Sequence, residues 1–301
     1  MFVSVIVPVY NDPQGLRRCL AQLEQQTYPR DRFEVIVVDN DSDPVAEIQG
    51  VVAQFAQARY VYEAVPGSYA ARNRGIQVAR GEAIAFTDAD CVPEPDWIAQ
   101  GLAVLRSHPH CGLVAGKIEV RVDGTKRSNA VQLYESLTAL TQKKFIEQDH
   151  YGATANVLTW RHVIEAVGCF DQTLKSSGDV EWGQRVYGAG YQQVYAPQAR
   201  VSHPARASFA QLRQQAIRHA GGFYDLQQKR CDSSLEKNLA FLKLLLFHLM
   251  PPLFFAWRAL LNSQLMNLGQ KIKVIWVMCF VRCTIVQELF RLRLGGISFR
   301  G

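Results

Sequence analysis

The sequence predicts an α/β fold built on a mostly parallel sheet with flanking helices. Three observations predict it. Short apolar runs alternate with segments of helical periodicity through the first hundred residues. The runs are apolar almost throughout and rich in Val and Ile, as strands covered on both faces are. Acidic residues gather directly after three of those runs, and in such sheets ligands bind beyond the carboxyl ends of the strands. With 301 residues, 48% hydrophobic and 20% charged, the chain is long enough for one large α/β domain and an appendage.

The first strand is "FVSVIVPVY", whose β-branched residues favour extended backbone. It reads as a strand and not as a signal peptide, having neither a basic start nor a small-residue cleavage site. "DPQGLRRCLAQLEQQ" follows, with Leu16, Leu20 and Leu23 at helical spacing. Then come "FEVIVVD" (strand), "PVAEIQGVVAQFA" (helix), "ARYVYEA" (strand), "SYAARNRGIQVA" (helix) and "EAIAFTD" (strand). Beyond Cys111 the pattern loosens. "CGLVAGKIEVRV" reads as a strand, "NAVQLYESLTALTQKKF" as a helix, and "HVIEAVGCFDQTL" as a short helix closed by Gly168. "SGDVEWGQRVYGAG" is a helix with Ser177 or Asp179 near its start and Gly188 or Gly190 at its end, and "YQQVYAP" and "ARVSH" read as two strands. "SFAQLRQQAIRHAGG" predicts a helix capped by Ser208 and stopped by Gly221 and Gly222. The composition changes after "KRCDSSLEKN", which puts a boundary near Asp232: an α/β domain over 1–231 and an apolar, basic helical appendage over 232–301.

Asp88 and Asp90 follow "AIAFT" in an extended segment, where alternate side chains share a face. Two carboxylates on one face, with no basic residue between them, repel unless a cation neutralises them. Oxygen ligands suit Mg²⁺ or Mn²⁺, which keep several waters and bind substrate phosphates. A solvated turn before "PEPDW" explains the same residues, and Asp-x-Asp recurs at Asp39-x-Asp41 and Asp41-x-Asp43, so spacing alone does not choose. In "VIVVDNDSDP", Asp43 fits a helix cap with Pro44 in the first turn. Asp39 sits on the strand end, where it can accept a hydrogen bond from a nucleotide base. The loop also resembles the aspartyl-phosphate loop of haloacid-dehalogenase-type phosphatases, which makes a phosphohydrolase using Asp39 a rival enzyme. No Gly-x-Gly-x-x-Gly follows any predicted strand, which sets aside a nicotinamide-dependent oxidoreductase.

"SVIVPVYND", "FEVIVVDNDSD", "SYAARNRGIQVARGEAIAFTDADC" and "GATANVLTWRHVIEAVGCFDQTLKSSGDVEWGQRVYGAGY" occur in that order. Together they resemble the family-2 glycosyltransferases, nucleotide-sugar-dependent enzymes with a GT-A (Rossmann-like) fold, over roughly residues 2–220. The resemblance implies that Pro8, Val9, Tyr10 and Asn11 lie beside the nucleoside, that Asp39 pairs with the base, and that Arg72 points a basic side chain at the nucleotide. It implies that Asp90 is the direct ligand of a divalent Mn²⁺ or Mg²⁺ ion, with Asp88 beside it as a sugar or ribose contact or a second ligand. His203, in "ARVSHPAR", matches a position where some relatives supply a histidine to the metal; a lone histidine is more often structural.

The late acidic motif of the family usually reads Glu-Asp, its Asp being the catalytic base. Aligned through Arg185, the pair in this chain is Gly178-Asp179. The resemblance therefore implies Asp179 as base, with Glu181 in reserve; a helix-dipole role explains Asp179 without any chemistry. The missing Glu raises a second rival, a non-catalytic member that binds nucleotides or glycans. "QQAIRH" departs from the Gln-x-x-Arg-Trp motif of processive members by having His219 in place of Trp, which favours transfer of a single sugar. Inverting transfer asks for these residue types. A carboxylate-held cation stabilises the departing diphosphate, and a carboxylate on the opposite face takes the proton of the acceptor hydroxyl. The donor base stays open; UDP is a common family choice, so a UDP-sugar is the leading expectation, with a glycan or lipid-linked acceptor.

The net charge of +6 is not gathered into Lys/Arg blocks, which argues against a nucleic-acid partner. Seven scattered cysteines without a Cys-x-x-Cys pair point to reduced thiols and a cytoplasmic compartment. In the tail, Lys243, His248 and Pro251-Pro252 interrupt "LAFLKLLLFHLMPPLFFAW" as a spanning helix. Basic residues around a Trp- and Phe-rich stripe suit peripheral contact of residues 239–294 with the inner face of the cell membrane. Helices packed on the catalytic domain, or on a second copy, explain the same stripe, and the sequence leaves the oligomeric state open.

Overall fold

The computed structural model describes residues 1–108, 110–121, 129–138, 141–263, 265 and 267–299. In chain order the elements are β1 (Val3–Val9), α1 (Pro13–Leu23), β2 (Phe33–Asp39), α2 (Val45–Val52), β3 (Ala58–Tyr62), α3 (Ser68–Val78), β4 (Ala83–Thr87), β5 (Val92–Pro93), α4 (Trp97–Ser107) and β6 (Cys111–Arg121). Then follow α5 (Ala130–Thr138), the single turn α6 (Gln142–Lys144), a π-helical turn at Phe145–Asp149, β7 (Asn156–Trp160), α7 (Arg161–Val167), α8 (Gly178–Gly188) and β8 (Gln192–Pro204). The chain ends in α9 (Phe209–Arg230), α10 (Ser234–Leu249), α11 (Leu253–Leu261) and α12 (Leu268–Arg293).

The chain forms two compact units. One comprises Met1–Val120, Leu140–Thr173 and Gly178–Pro204; the other comprises Arg121–Ala139, Leu174–Ser177 and Ala205–Gly301. The composition change near Asp232 falls between α9 and α10, both of which lie in the second unit, so it does not coincide with the division between the units.

In the first unit, the strands order as β3-β2-β1-β4-β7-β6-β8-β5 among the described residues. β1 pairs in parallel with β2 and β4, and β2 with β3. β2 and β4 are buried at every position and β1 at all but Pro8, which is why they read as unbroken apolar runs. Helices cover both faces: Leu16, Leu20 and Leu23 of α1 pack in one core cluster, and Ile76 of α3 packs in the other. The register sets Val9 beside Asp39 and Asp39 beside Tyr62, so the carboxyl ends of these strands finish level.

The antiparallel half was not legible. β7 pairs antiparallel with β4 and β6, bringing Asn156 opposite Thr87. Its five residues carry no clear alternation, and sequence reasoning assigns no strand there. The two strands expected near 191–203 are one strand, β8; β5 meets it only at Val201 and Ser202, and Pro197 lies exposed. The helix expected over 129–145 comprises α5 and the separate turn α6, with residues 139–140 outside the described ones. Val122, at the end of the strand expected from Cys111, also lies outside them. Asp43 is not a cap: its bond to Pro44 is cis, and α2 starts at Val45 without a side-chain cap. Gly168 closes α7 with φ +86°, as expected.

In the second unit, α9 begins with the predicted Ser208 cap, completed as a capping box by Gln211. It does not stop at Gly221-Gly222 but runs on to Arg230. The glycines serve close packing instead. A Cβ on Gly221 would lie 2.9 Å from Ser298 Cβ, and one on Gly222 would lie 2.6 Å from Ser176 Cβ. A small core forms from Val131, Tyr134, Leu212, Ala259, Val274 and Val277. Arg282 of α12 donates to the carbonyls of Phe247 and Met250 at the end of α10, and Lys271 donates to Leu260 O at the end of α11.

Candidate active site

Every residue singled out as a site candidate lies in the first unit. The β1 end supplies buried Val9, half-buried Pro8, exposed Tyr10 and, with φ +51°, exposed Asn11. Asn11 is tied to the loop after β2 in both directions: its N–H donates to Ser42 Oγ at 2.9 Å, and its Oδ1 accepts from Asp43 N at 2.8 Å. Asp39 ends β2 fully buried. Its Oδ1 accepts from Ser42 N at 3.1 Å and its Oδ2 from Tyr60 Oη at 2.9 Å. Burial, then this bond to Asp39, pushes the Tyr60 hydroxyl up to about 12, so it remains a donor. Asp41, two residues on, accepts from Tyr62 Oη at 2.6 Å and faces solvent. With no exposed surface and its oxygens bonded to Ser42 N and Tyr60 Oη, Asp39 as placed reaches neither a phosphate ester nor a nucleotide base. The enclosure counts against the phosphohydrolase reading and equally against the expected base contact.

Asn40 prepares the start of α3. Its side chain donates to the carbonyls of Glu63 and Val65 and accepts from Gly67 N at 2.6 Å. From that helix, buried Arg72 reaches Asp88 Oδ1 with Nη2 at 2.5 Å. Its Nη1 returns to Ser68 O, while its Nε is buried with no hydrogen-bond partner. An unpartnered buried donor beside a carboxylate is a feature that a bound anion would explain.

Asp88 and Asp90 follow β4 in a tight turn closed by Cys91 N donating to Asp88 O at 3.0 Å. Ligand atoms of Asp88, Asp90 and Cys91 lie within 4.8 Å of one another. Sulfur suits softer metals, so the two carboxylates are the group that fits a hard cation. β8 adds His203, whose Nε2 stands 3.3 Å from Asp90 Oδ2 and whose Nδ1 lies 2.8 Å from Pro204 O. A carbonyl only accepts, so Nδ1 carries a proton, and Nε2 turns toward the carboxylate. Asn156 braces this corner from within. It accepts from Trp97 Nε1 at 2.8 Å and donates to Lys117 O and Ala199 O, each at 2.9 Å.

Asp179 stands in the first turn of α8, partly open to solvent. Its Oδ1 accepts from Val180 N at 3.0 Å and from Tyr69 Oη at 3.3 Å. Desolvation raises its pKa, opposed by the Arg72 charge and these hydrogen bonds. Glu181 does not fit the reserve role as base. It is about 200° further round the helix and holds Arg185 in a two-point pair at 2.6 and 2.9 Å. Arg185 in turn donates to the carbonyls of Val167, Gly168 and Cys169. Tyr69, Tyr60, Asn40 and Asn156 were missed by sequence reasoning. Nothing local marks a tyrosine in a helix or an asparagine at a strand start; their partners lie up to 110 residues away.

A parallel sheet that ends in an Asp-x-Asp turn, with a second carboxylate on a later helix, is the geometry to set beside known proteins. The sequence profile described as Glycosyl transferase family 2 matches residues 4–168. The chain belongs to that family. Among curated relatives, the glycosyltransferase AglE of Haloferax volcanii is 37% identical over 73% of this chain and 72% of its own. Among solved structures, the mannosyltransferase PcManGT of Pyrobaculum calidifontis, in complex with GDP-Man and Mn²⁺, superposes with a TM-score of 0.64 at 21% identity. That match covers 96% of this chain and 86% of the other. S. aureus TarS 1–349, in complex with UDP-GlcNAc, gives 0.56 at 17% identity over 98% and 93% of the two chains. Those two likenesses concern the fold, and the fold is the family's GT-A architecture. The protein is a glycosyltransferase by its family relationships.

Proposed function

We propose that this glycosyltransferase moves one sugar, with inversion, from a nucleoside diphosphate sugar to a hydroxyl acceptor, and that the reaction depends on a divalent cation. The observation that carries the reading is the meeting of Asp90 with His203 Nε2, beside Asp88 and a buried Arg72 whose Nε is unsatisfied. Asp90, Asp88 and His203 would hold Mn²⁺ or Mg²⁺; oxygen donors suit both ions, and the imidazole favours Mn²⁺. Bound there, the cation supplies positive charge to the departing diphosphate. Arg72 adds a fixed guanidinium with donor capacity to spare. Asp179 takes the acceptor proton, its raised pKa matching a base that must hold a proton during attack. Tyr10, Asn11 and the exposed Asp41 and Asp43 of the loop after β2 flank the nucleoside. The solved neighbours carry GDP-Man and UDP-GlcNAc, so guanine and uracil nucleotides are the first donors to try.

Thermal shift with GDP, UDP and dTDP, with and without Mn²⁺, tests the reading directly. A ligand at one hundred times its Kd adds about 2.7 kcal/mol. One nucleotide should stabilise the protein only with metal, and Asp90→Asn should lose that effect. No stabilisation by any nucleotide would count against the donor site.

The second unit supports membrane contact. Leu235, Leu239, Leu242, Leu246 and Leu249 form an exposed stripe along α10, continued by exposed Leu253, Phe254, Trp257 and Leu261 on α11. Ser234–Leu261 is long and apolar enough to cross a membrane by length and composition, with the prolines at 251–252 dividing it into two helices. Between Glu236 and Glu288 there is no acidic residue, while Lys237, Lys243, Arg258, Lys271, Lys273 and Arg282 equal the chain's whole net charge of +6. An apolar stripe with purely basic surroundings fits an anionic lipid surface, where a lipid-linked acceptor would lie. Flotation with phosphatidylglycerol vesicles should recover the protein, and Lys243→Glu with Lys273→Glu should release it. Failure to float, together with dimerisation through the leucine stripe, would assign the stripe to a second copy.

A further inference from the structure

Gly178 stands where the family's glutamate is expected, and the space a side chain would need is filled. A Cβ built on Gly178 would lie 2.7–2.8 Å from Cε2, Cδ2 and Cζ of Tyr69. Carbon atoms do not approach that closely, so the Tyr69 ring and any residue larger than glycine at 178 exclude one another. The ring is fixed on other sides too. It stacks on Phe170 with centroids 5.8 Å apart, and Phe170 is tied to α3 by two hydrogen bonds with the Asn73 side chain. The Arg72 guanidinium lies 5.7 Å from the ring centroid. So held, the hydroxyl points at Asp179 Oδ1, 3.3 Å away.

We propose that Tyr69 is the positioning residue for Asp179: its ring takes the room that Gly178 leaves, and its hydroxyl fixes the carboxylate where a neighbouring glutamate would stand. The inference rests on the reading of Asp179 as the base. It replaces a second carboxylate, which would repel the first, with a neutral donor. Burial, then the Asp179 charge, pushes the Tyr69 hydroxyl up, so it keeps its proton. The other groups facing Asp179 are Arg72 of α3 and Tyr151, before β7, whose hydroxyl is also raised by burial and then by Asp179. Tyr69 thereby joins the two halves of the site: Asp88 to Arg72, Arg72 to the ring, and the hydroxyl to Asp179.

Two measurements on the full chain test this without a substrate. The first is a melting cycle. Gly178→Ala should lower Tm by about 3 °C or more, and should cost little once Tyr69→Ala has emptied the space; an equal loss in both backgrounds overturns the steric pairing. The second keeps the ring. Tyr69→Phe should move the carboxyl ¹³C titration of Asp179 to higher pH, a shift that loss of packing alone does not produce; an unchanged midpoint overturns the positioning role. The parent reading fails separately. Full sugar transfer by Asp179→Asn removes Asp179 as base, whatever the Tyr69→Phe titration shows.

Discussion

His203 turns its Nε2 to Asp90 while its other ring nitrogen is held by the backbone. Its Nδ1–H is committed to Pro204 O at 2.8 Å, which leaves Nε2 facing Asp90 Oδ2 at 3.3 Å. In a neutral ring these are two electron-rich atoms pointing at each other. A cation shared between them turns that repulsion into coordination, and a carbonyl fixing the far nitrogen of a ligating histidine is the usual companion of such sites. The first prediction follows. His203→Ala should weaken Mn²⁺ binding by about 10–100-fold, read by calorimetry or by the electron spin resonance of free Mn²⁺. An unchanged affinity would leave His203 a structural residue.

Asp179 predicts a gain in stability when its charge is removed. Its pKa is raised in the folded protein, so between the unfolded value and that raised value the native state binds more protons than the unfolded one. Stability therefore falls as pH rises through this window, and the cost of burying the charge is fully present above it. Asp179→Asn should melt higher than the parent at neutral pH while losing transfer. The difference should shrink as pH falls through the raised pKa toward the ordinary carboxylate range. A melting advantage that does not change with pH would have another origin.

Arg72 and Asp88 form the least exposed ion pair of the site, Arg72 with 4% and Asp88 with 33% of its side chain accessible. Arg72→Met keeps the stem and removes the charge. It should cost about 1.5–3 kcal/mol in urea unfolding, the range of a hydrogen bond to a charged group, and it should abolish nucleotide-dependent stabilisation. Retained nucleotide binding would assign Arg72 to architecture alone.

Asn156 satisfies Trp97 Nε1 and two backbone carbonyls from the buried start of β7. Asn156→Leu is close in volume but leaves the indole N–H and those carbonyls without this partner. A loss of about 3 kcal/mol or more is expected from the desolvated groups, measured by denaturant unfolding. A near-neutral result would mean that water enters to replace the amide.

Gly222 gives a prediction whose sign decides its role. At an exposed position inside a helix, Gly→Ala stabilises by about 0.5–1 kcal/mol. In α9 the new Cβ would meet Ser176 Cβ at 2.6 Å, so Gly222→Ala should lower Tm instead. A higher Tm would show that the packing gives way.

How much was legible can be judged from particular residues. Ser208 was read as a cap because capping depends on residues within one turn of the chain, and the structure agrees. Gly221 and Gly222 were read as a stop because sequence shows only that a side chain is missing. The reason for its absence, Ser298 and Ser176, lies far along the chain. β7 escaped notice because its place in the sheet comes from pairing with β4 and β6 and not from any period of its own. Asp88, Asp90 and Asp39 were singled out by their position after strands, whereas the enclosure of Asp39 by Tyr60 was invisible.

The sequence by itself determined the parallel half of the sheet, its helices and the edge on which the acidic loops gather. Those features follow from local periodicity and from the rule that level strands end together. Only the tertiary structure decided which carboxylate meets a histidine, which is sealed by a tyrosine and which has its pKa raised by desolvation. Each of those outcomes depends on distance and desolvation between residues remote in the chain. Asp179 and Tyr69, 110 residues apart, acquire a shared role only when the fold brings Gly178 against the ring.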